Sequence, residues 1–359
     1  MRDTRITRVA EILVDYSVRV KKGDNVLILS DFVGRPLVKE IYRLCVKRGA
    51  GEILLFFDSY DLDEIFYKYS TSFQRKHYPR LAMDIIKKVD CWIGVRGSLN
   101  TRGLSSVNPK AISEVVKAHR PITDWRVGKT RWVVTEFPSE SQAQESDMSL
   151  SDYEDFVFTA ITRIEWKKKR REQERLRKFL DKTKTVRIVG EGTDLTLDIT
   201  GRKAINAGGE NNMPDGEVFT SVNEVKSEGL ITFSFPALYF GREFHNVSLE
   251  FKKGRVSKAK ASKGEEDLNQ ILDMDKGARR IGELGIGNNF AIRTFSKNIL
   301  FDEKIGGTVH IALGQGYKET LSKNISGLHW DMIKDLRESG ELWFDGKLVQ
   351  KNGKWLIKL

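Results

Sequence analysis

Asn25-Val-Leu-Ile-Leu-Ser30 is apolar at almost every position. A strand with one face in water alternates apolar and polar residues, whereas a strand buried on both faces does not. Three more runs share this pattern: Ile53-Leu-Leu-Phe-Phe57, Cys91-Trp-Ile-Gly-Val95 and Thr130-Arg-Trp-Val-Val-Thr135. Stretches of helical spacing lie around them, at 4–20, 35–48 (closed by Gly49 and Gly51), 62–88 and 109–118. Buried strands alternating with helices predict a mostly parallel sheet covered on both faces. Residues 1–145 therefore read as a doubly wound α/β domain. No GxGxxG follows the first strand, so a dinucleotide site has no fingerprint here.

At 359 residues the chain is long enough for two domains, and 40% hydrophobic residues with 10% aromatics can fill large cores. The opening Met1-Arg-Asp-Thr-Arg-Ile6 carries no apolar signal core, and no run reaches the ~18 apolar residues of a membrane span. Cys45 and Cys91 sit in apolar segments and read as buried thiols, so a reducing cytoplasm is the expected location. Neither CxxC nor HExxH occurs, which removes the common zinc signatures.

The net charge is +11, and residues 163–187 hold most of it, with twelve Lys/Arg against four Asp/Glu. Strong helix formers fill this segment, including Lys167-Lys-Lys-Arg-Arg171. It reads as part of a long, solvated, basic linking helix over 146–187, opened by Ser149 as N-cap. A basic run also suits phosphate backbones, but no aromatic-rich motif accompanies it, which argues against nucleic acid.

Beyond 187 the character changes to short strands and turns: Asp194-Leu-Thr-Leu-Asp-Ile199, Gly229-Leu-Ile-Thr-Phe-Ser234, Val247-Ser-Leu-Glu-Phe251 and Arg255-Val-Ser-Lys-Ala-Lys260. One helix is expected near 264–275, and a hairpin turns at Asp345-Gly346. Residues 188–359 are expected to form a mostly β domain, barrel-like or a strongly bent sheet.

The candidate chemistry lies there. In Ser326-Gly-Leu-His-Trp-Asp-Met332, His329 and Asp331 would share one face of a strand. On a helix they would diverge. An imidazole beside a carboxylate begins a metal site, and it is also what an ordinary polar strand face looks like. In Thr308-Val-His-Ile-Ala-Leu313, Val309, Ile311 and Leu313 face one way and His310 the other, between small neighbours. Glu217 follows the turn Asn212-Met-Pro-Asp-Gly216, in the position of a solvated group at a strand mouth. Glu283 stands among glycines in Gly277–Gly287, and Tyr317 follows His310 across Gly314-Gln-Gly316. Two imidazoles and three carboxylates can hold two divalent ions, a pair that activates water and suits an exopeptidase.

Asn212-Met-Pro-Asp-Gly-Glu-Val-Phe-Thr220, Lys276-Gly-Ala-Arg-Arg-Ile-Gly-Glu283, Leu300-Phe-Asp-Glu303 with Val309-His-Ile-Ala-Leu-Gly314, and Ser326 to Met332 together resemble the successive motifs of the aminopeptidase T family of metalloaminopeptidases. The likeness extends to Met148–Phe158 and the closing hairpin. It implies that Glu217, Glu283, His310, His329 and Asp331 are metal ligands and that Tyr317 is the active-site tyrosine. It also implies two divalent ions (zinc or cobalt, with magnesium or manganese as further candidates), a cytoplasmic homodimer, and peptide substrates with a free N-terminus. This sequence departs from the family pattern in a shortened stretch between His310 and His329, a shortened chain before Val186, and residues 136–146 poor in apolar content. Those changes concern the substrate chamber and dimer contacts more than the ligands.

Two readings compete with the peptidase. His310, His329 and Asp331 alone match the two-histidine, one-carboxylate set of non-haem iron oxygenases, here a ring-cleaving dioxygenase. Glu217 and Glu283 separate the two, since a single-iron site needs neither. The other is a non-catalytic nucleic-acid-binding protein acting through 163–187.

Overall fold

The structure, a computed structural model, describes residues 3–239 and 241–359, with the backbone alone at Tyr60 and Pro109. The chain divides into two compact units: one runs to Arg163 and includes Gly209–Pro214, the other comprises Ile164–Gly208 and Asp215–Leu359.

The first unit is the α/β fold. Strands Asn25–Asp31, Glu52–Asp58, Cys91–Arg96 and Arg131–Glu136 pair in parallel. Ile28, Ile93 and Val133 are fully buried, and the helix Arg35–Lys47 packs Leu37, Val38, Ile41, Leu44 and Cys45 inward. Cys45 and Cys91 are buried free thiols, both pushed up to about 12 chiefly by burial. Two features differ from the sequence reading. Glu52–Asp58 is an edge strand, not a buried one: Phe56 is 43% exposed, because the strand is outermost in the sheet. On the opposite edge, Asn212–Met213 pairs in parallel with Arg131–Glu136, some eighty residues upstream.

The expected helix over 146–187 is two helices, Leu150–Thr162 and Trp166–Leu180, with a break at 163–165, and only the second is basic. Ser149 caps the first, its Oγ accepting from the Asp152 N–H at 3.1 Å. The second buries Trp166, Gln173, Leu176 and Leu180 along one stripe and leaves Lys167, Lys168, Arg170 and Arg171 in water. It is therefore an integral helix of the second unit with a basic outer face. Among the described residues, no helix is long and apolar enough to cross a membrane.

The second unit contains antiparallel sheets of eight, five and two strands, and the two larger ones enclose a common core. Val186, Ile188, Leu195 and Leu342 enter that core from the first sheet, and Ile286, Val309, Ile311 and Met332 from the second. The five-stranded sheet positions the candidate site. Its order is His329–Asp335, Thr308–Gly314, Ile281–Gly287, Glu217–Thr220, Ile205–Ala207. Every residue of Ile281–Gly287 and Thr308–Gly314 is buried, as expected of inner strands.

Candidate metal centre

Four neighbouring strands carry the donors, and the pleat aims them to one face. Thr308–Gly314 turns Val309, Ile311 and Leu313 into the core and His310 out of it. His310 lies opposite Gly285 and, on the other side, Ile333. Asp331 pairs with Ala312, and Glu283 pairs with Ala312 from the other side. Alanine there leaves the space between the two carboxylates open. Glu217 starts its strand opposite Gly287. Gln173 of the basic helix secures that start, its Nε2 donating to the carbonyls of Glu217 (2.6 Å) and Ala207 (3.0 Å).

Glycine is required opposite His310. A Cβ at Gly285 would lie 2.0 Å from His310 Cε1 and 2.1 Å from Nε2. The Cε1–Nε2 side of the imidazole rests against backbone that only glycine could offer.

His310 Nε2 lies 3.2 Å from Glu283 Oε1, 3.6 Å from Glu217 Oε2 and 4.0 Å from Asp331 Oδ1. Asp331 Oδ2 is 3.4 Å from His329 Nε2. The carbonyl of Gln315, 2.7 Å from His329 Nδ1, accepts that nitrogen's proton in the neutral ring and leaves Nε2 with a lone pair for a metal. Tyr317 packs against His329 and Phe219, with ring centroids 5.3 and 5.6 Å away. All six residues singled out in the sequence thus converge. Glu217 is buried, not at a solvated mouth.

The donor set fits a divalent ion. Ligand atoms of Glu283, His310 and Asp331 lie within 4.8 Å of one another, as do those of Glu217, Glu303 and His310. Glu217 Oε2, Glu283 Oε2, His310 Nδ1 and Asp331 Oδ1 are buried without a hydrogen-bond partner. Buried polar atoms are seldom left so, and three unpartnered carboxylate oxygens gathered beside His310 call for a cation.

Charge placement agrees. Burial pushes the Glu217 and Glu283 carboxyls above the usual range, against the pull of Lys304 on Glu217 and of His310 on Glu283. For Asp331 the opposing pull wins: despite burial, His329 holds it at about 2. Burial works against charge on both imidazoles, but the carboxylates outweigh it and push His310 up to about 9 and His329 to about 10. Although Tyr317 is 45% exposed, desolvation beside the centre and the carboxylates Glu283 and Asp331 hold its phenol above its ordinary value, so it stays protonated.

A pH dependence follows. An unfolded imidazole titrates near ~6.5, so between that pH and 9–10 the ion-free folded protein binds more protons than the unfolded chain. Its stability is present in full below ~6.5 and is lost as pH rises through 9–10. Ion binding needs neutral rings and moves the other way. Thermal unfolding of chelated protein should shift down from pH 7 to pH 10, while the gap to zinc-loaded protein widens.

Sequence reasoning missed Glu303 and Lys304. Lys304 is completely buried, its Nζ 2.8 Å from Glu217 Oε1 and also hydrogen-bonded to Glu303 Oε1. Burial pulls its pKa down, but Glu217 and Glu303 hold it well above the ordinary value. An adjacent Glu-Lys pair normally reads as solvated surface. The available signal was the company it keeps: Ile299-Leu-Phe301 before it and Ile305-Gly-Gly307 after.

The family model of the thermophilic metalloproteases (M29) matches residues 2–355. The chain is 25% identical to aminopeptidase 2 of Geobacillus stearothermophilus, over 99% of each chain. It is 23% identical to aminopeptidase T of Thermus thermophilus, over 98% of each. Those alignments run to 411 and 420 positions against 359 residues here, so the relatives carry segments that this chain lacks. The solved structure of wild-type AmpT from Thermus thermophilus has the same fold, with a TM-score of 0.88 over 99% of both chains at 22% identity.

Proposed function

This chain belongs to the M29 family of thermophilic metalloproteases, and from that premise we propose that it is a metal-dependent aminopeptidase that removes the N-terminal residue of peptides. The observation carrying this reading is the buried cluster of Glu283, His310 and Asp331, flanked by His329 and Glu217, with its unsatisfied ligand atoms.

A divalent ion among Glu283, His310, His329 and Asp331 supplies a Lewis acid and lowers the pKa of water. The chain's own groups do the rest. The carboxylates attract the free amine of the substrate. The Tyr317 hydroxyl, held protonated, donates to the scissile carbonyl oxygen as negative charge develops. Burial raises the Glu217 and Glu283 carboxyls, which makes them stronger proton acceptors than an exposed carboxylate. One of them takes a proton from the attacking water and returns it to the departing amine as the C–N bond breaks. A cavity of about 250 Å³ opens beside His329 and Asp331, lined by Leu238, Tyr239, Phe295 and Ile299 among others, and gives an apolar side chain room.

Zinc or cobalt as the ion, a homodimeric assembly and a cytoplasmic location belong to the same proposal and rest on the motif resemblance. A non-haem iron site uses one carboxylate. Glu283 adds a second to the same group, which supports hydrolysis over oxygenation. The test is release of N-terminal residues from a free peptide and from its N-acetylated copy. Activity on the free peptide alone, lost on chelation and restored by zinc or cobalt, is expected. Equal cleavage of both peptides, or activity indifferent to chelation, would refute the reading.

A further inference from the structure

One half of the centre already contains a cation. Glu217 and Glu303, which with His310 form the second group of clustered donor atoms, both accept from Lys304 Nζ. An ion bound to those carboxylates would lie ~2.0–2.2 Å from each oxygen, in the space the ammonium occupies. Two cations that close, at buried side chains, repel strongly.

Lys304 has no retreat. Its side chain is 0% exposed. Its N–H donates to the Phe301 carbonyl (3.0 Å), and its own carbonyl accepts from the Asn289 N–H (2.9 Å). The preceding turn, Ile299–Asp302, is braced where Asp302 Oδ1 accepts from Ser296 N (2.7 Å) and Oγ (2.8 Å). Swinging the ammonium away would leave a charge in apolar surroundings and two buried carboxylates uncompensated. Glu283 and Asp331, by contrast, pair only with His310 and His329 among the described residues.

We propose that the Lys304 ammonium takes the place of a second divalent ion, so that the chain holds one ion, at Glu283, His310, His329 and Asp331. Lys304 then fixes Glu217 through Oε1 and leaves Oε2, which faces His310, as the oxygen that handles the proton. Glu283 is committed to the ion.

The proposal rests on the metal-centre reading, but its readout is ion content and not activity. Protein saturated with zinc or with cobalt is passed through a desalting column, and ions per chain are counted by mass spectrometry. One ion per chain is expected, and two tightly held ions overturn the proposal. Lys304→Met, which removes the charge and keeps the stem, is expected to hold two. A count that stays at one takes the exclusion away from the ammonium and overturns it too. Should Lys304→Met not fold, Lys304→Gln, which keeps a hydrogen bond to Glu217, is counted in its place. One ion per chain without any peptide cleavage would sink the aminopeptidase reading and leave this proposal standing. Two ions with cleavage would do the reverse.

Discussion

Replacing both imidazoles, as His310→Ala with His329→Ala, is expected to leave a folded chain that no longer retains zinc or cobalt and has no measurable peptidase activity. Among the described residues the two rings are the only imidazoles in the cluster. The carboxylates that remain are hard ligands, poorly matched to these metals. Losing an outer hydrogen-bond partner of a ligand already costs ~10–100-fold in affinity, and here two direct ligands go. The fold should survive because Val309, Ile311 and Leu313 on the core side of the strand are untouched. Thermal unfolding should begin earlier, since Glu283 and Asp331 lose the partners they pair with. Ion analysis after desalting, with circular dichroism as the folding control, reads the result. Ion content equal to wild type would remove the centre from these residues.

Gly285→Ala is expected to do nearly as much without changing a ligand. The added methyl would meet the His310 ring at 2.0–2.1 Å, well inside contact distance. The ring sits in a fully buried strand and cannot tilt away without leaving its place 3.2 Å from Glu283. Displacement by an ångström or more breaks the shared ligand geometry, and misplacement of ~1 Å at a reacting centre costs ~100-fold. Loss of ion affinity and a fall in kcat of at least that size are expected. Wild-type affinity in Gly285→Ala would mean that His310 is not held against this backbone.

Much of this was written locally in the chain. The apolar runs at Asn25–Ser30 and Cys91–Val95 have no polar face to offer water, and that alone implies cover on both sides. The alternation in Thr308–Leu313 separates core residues from His310 before any partner strand is known. His329 and Asp331, two apart, needed only the strand assignment to point together. What escaped depends on neighbours distant in sequence. Ile53–Phe57 looks as buried as the other strands, and only the sheet order puts it at an edge. Asn212–Met213 is too short for any periodicity, and its partner lies near residue 134. Lys304 is charged next to a glutamate, a pattern that belongs to surfaces, and its burial follows from Glu217, 87 residues earlier. The basic helix read as solvated because its buried stripe is only four residues wide-spaced among charges.

The most direct measurement is anomalous scattering from crystals of zinc- or cobalt-loaded protein, collected at the metal's absorption edge. A strong peak within ligand distance of Glu283, His310, His329 and Asp331, absent from chelated crystals, is what the account predicts. No peak among those four residues, or one lying elsewhere in the chain, would contradict it.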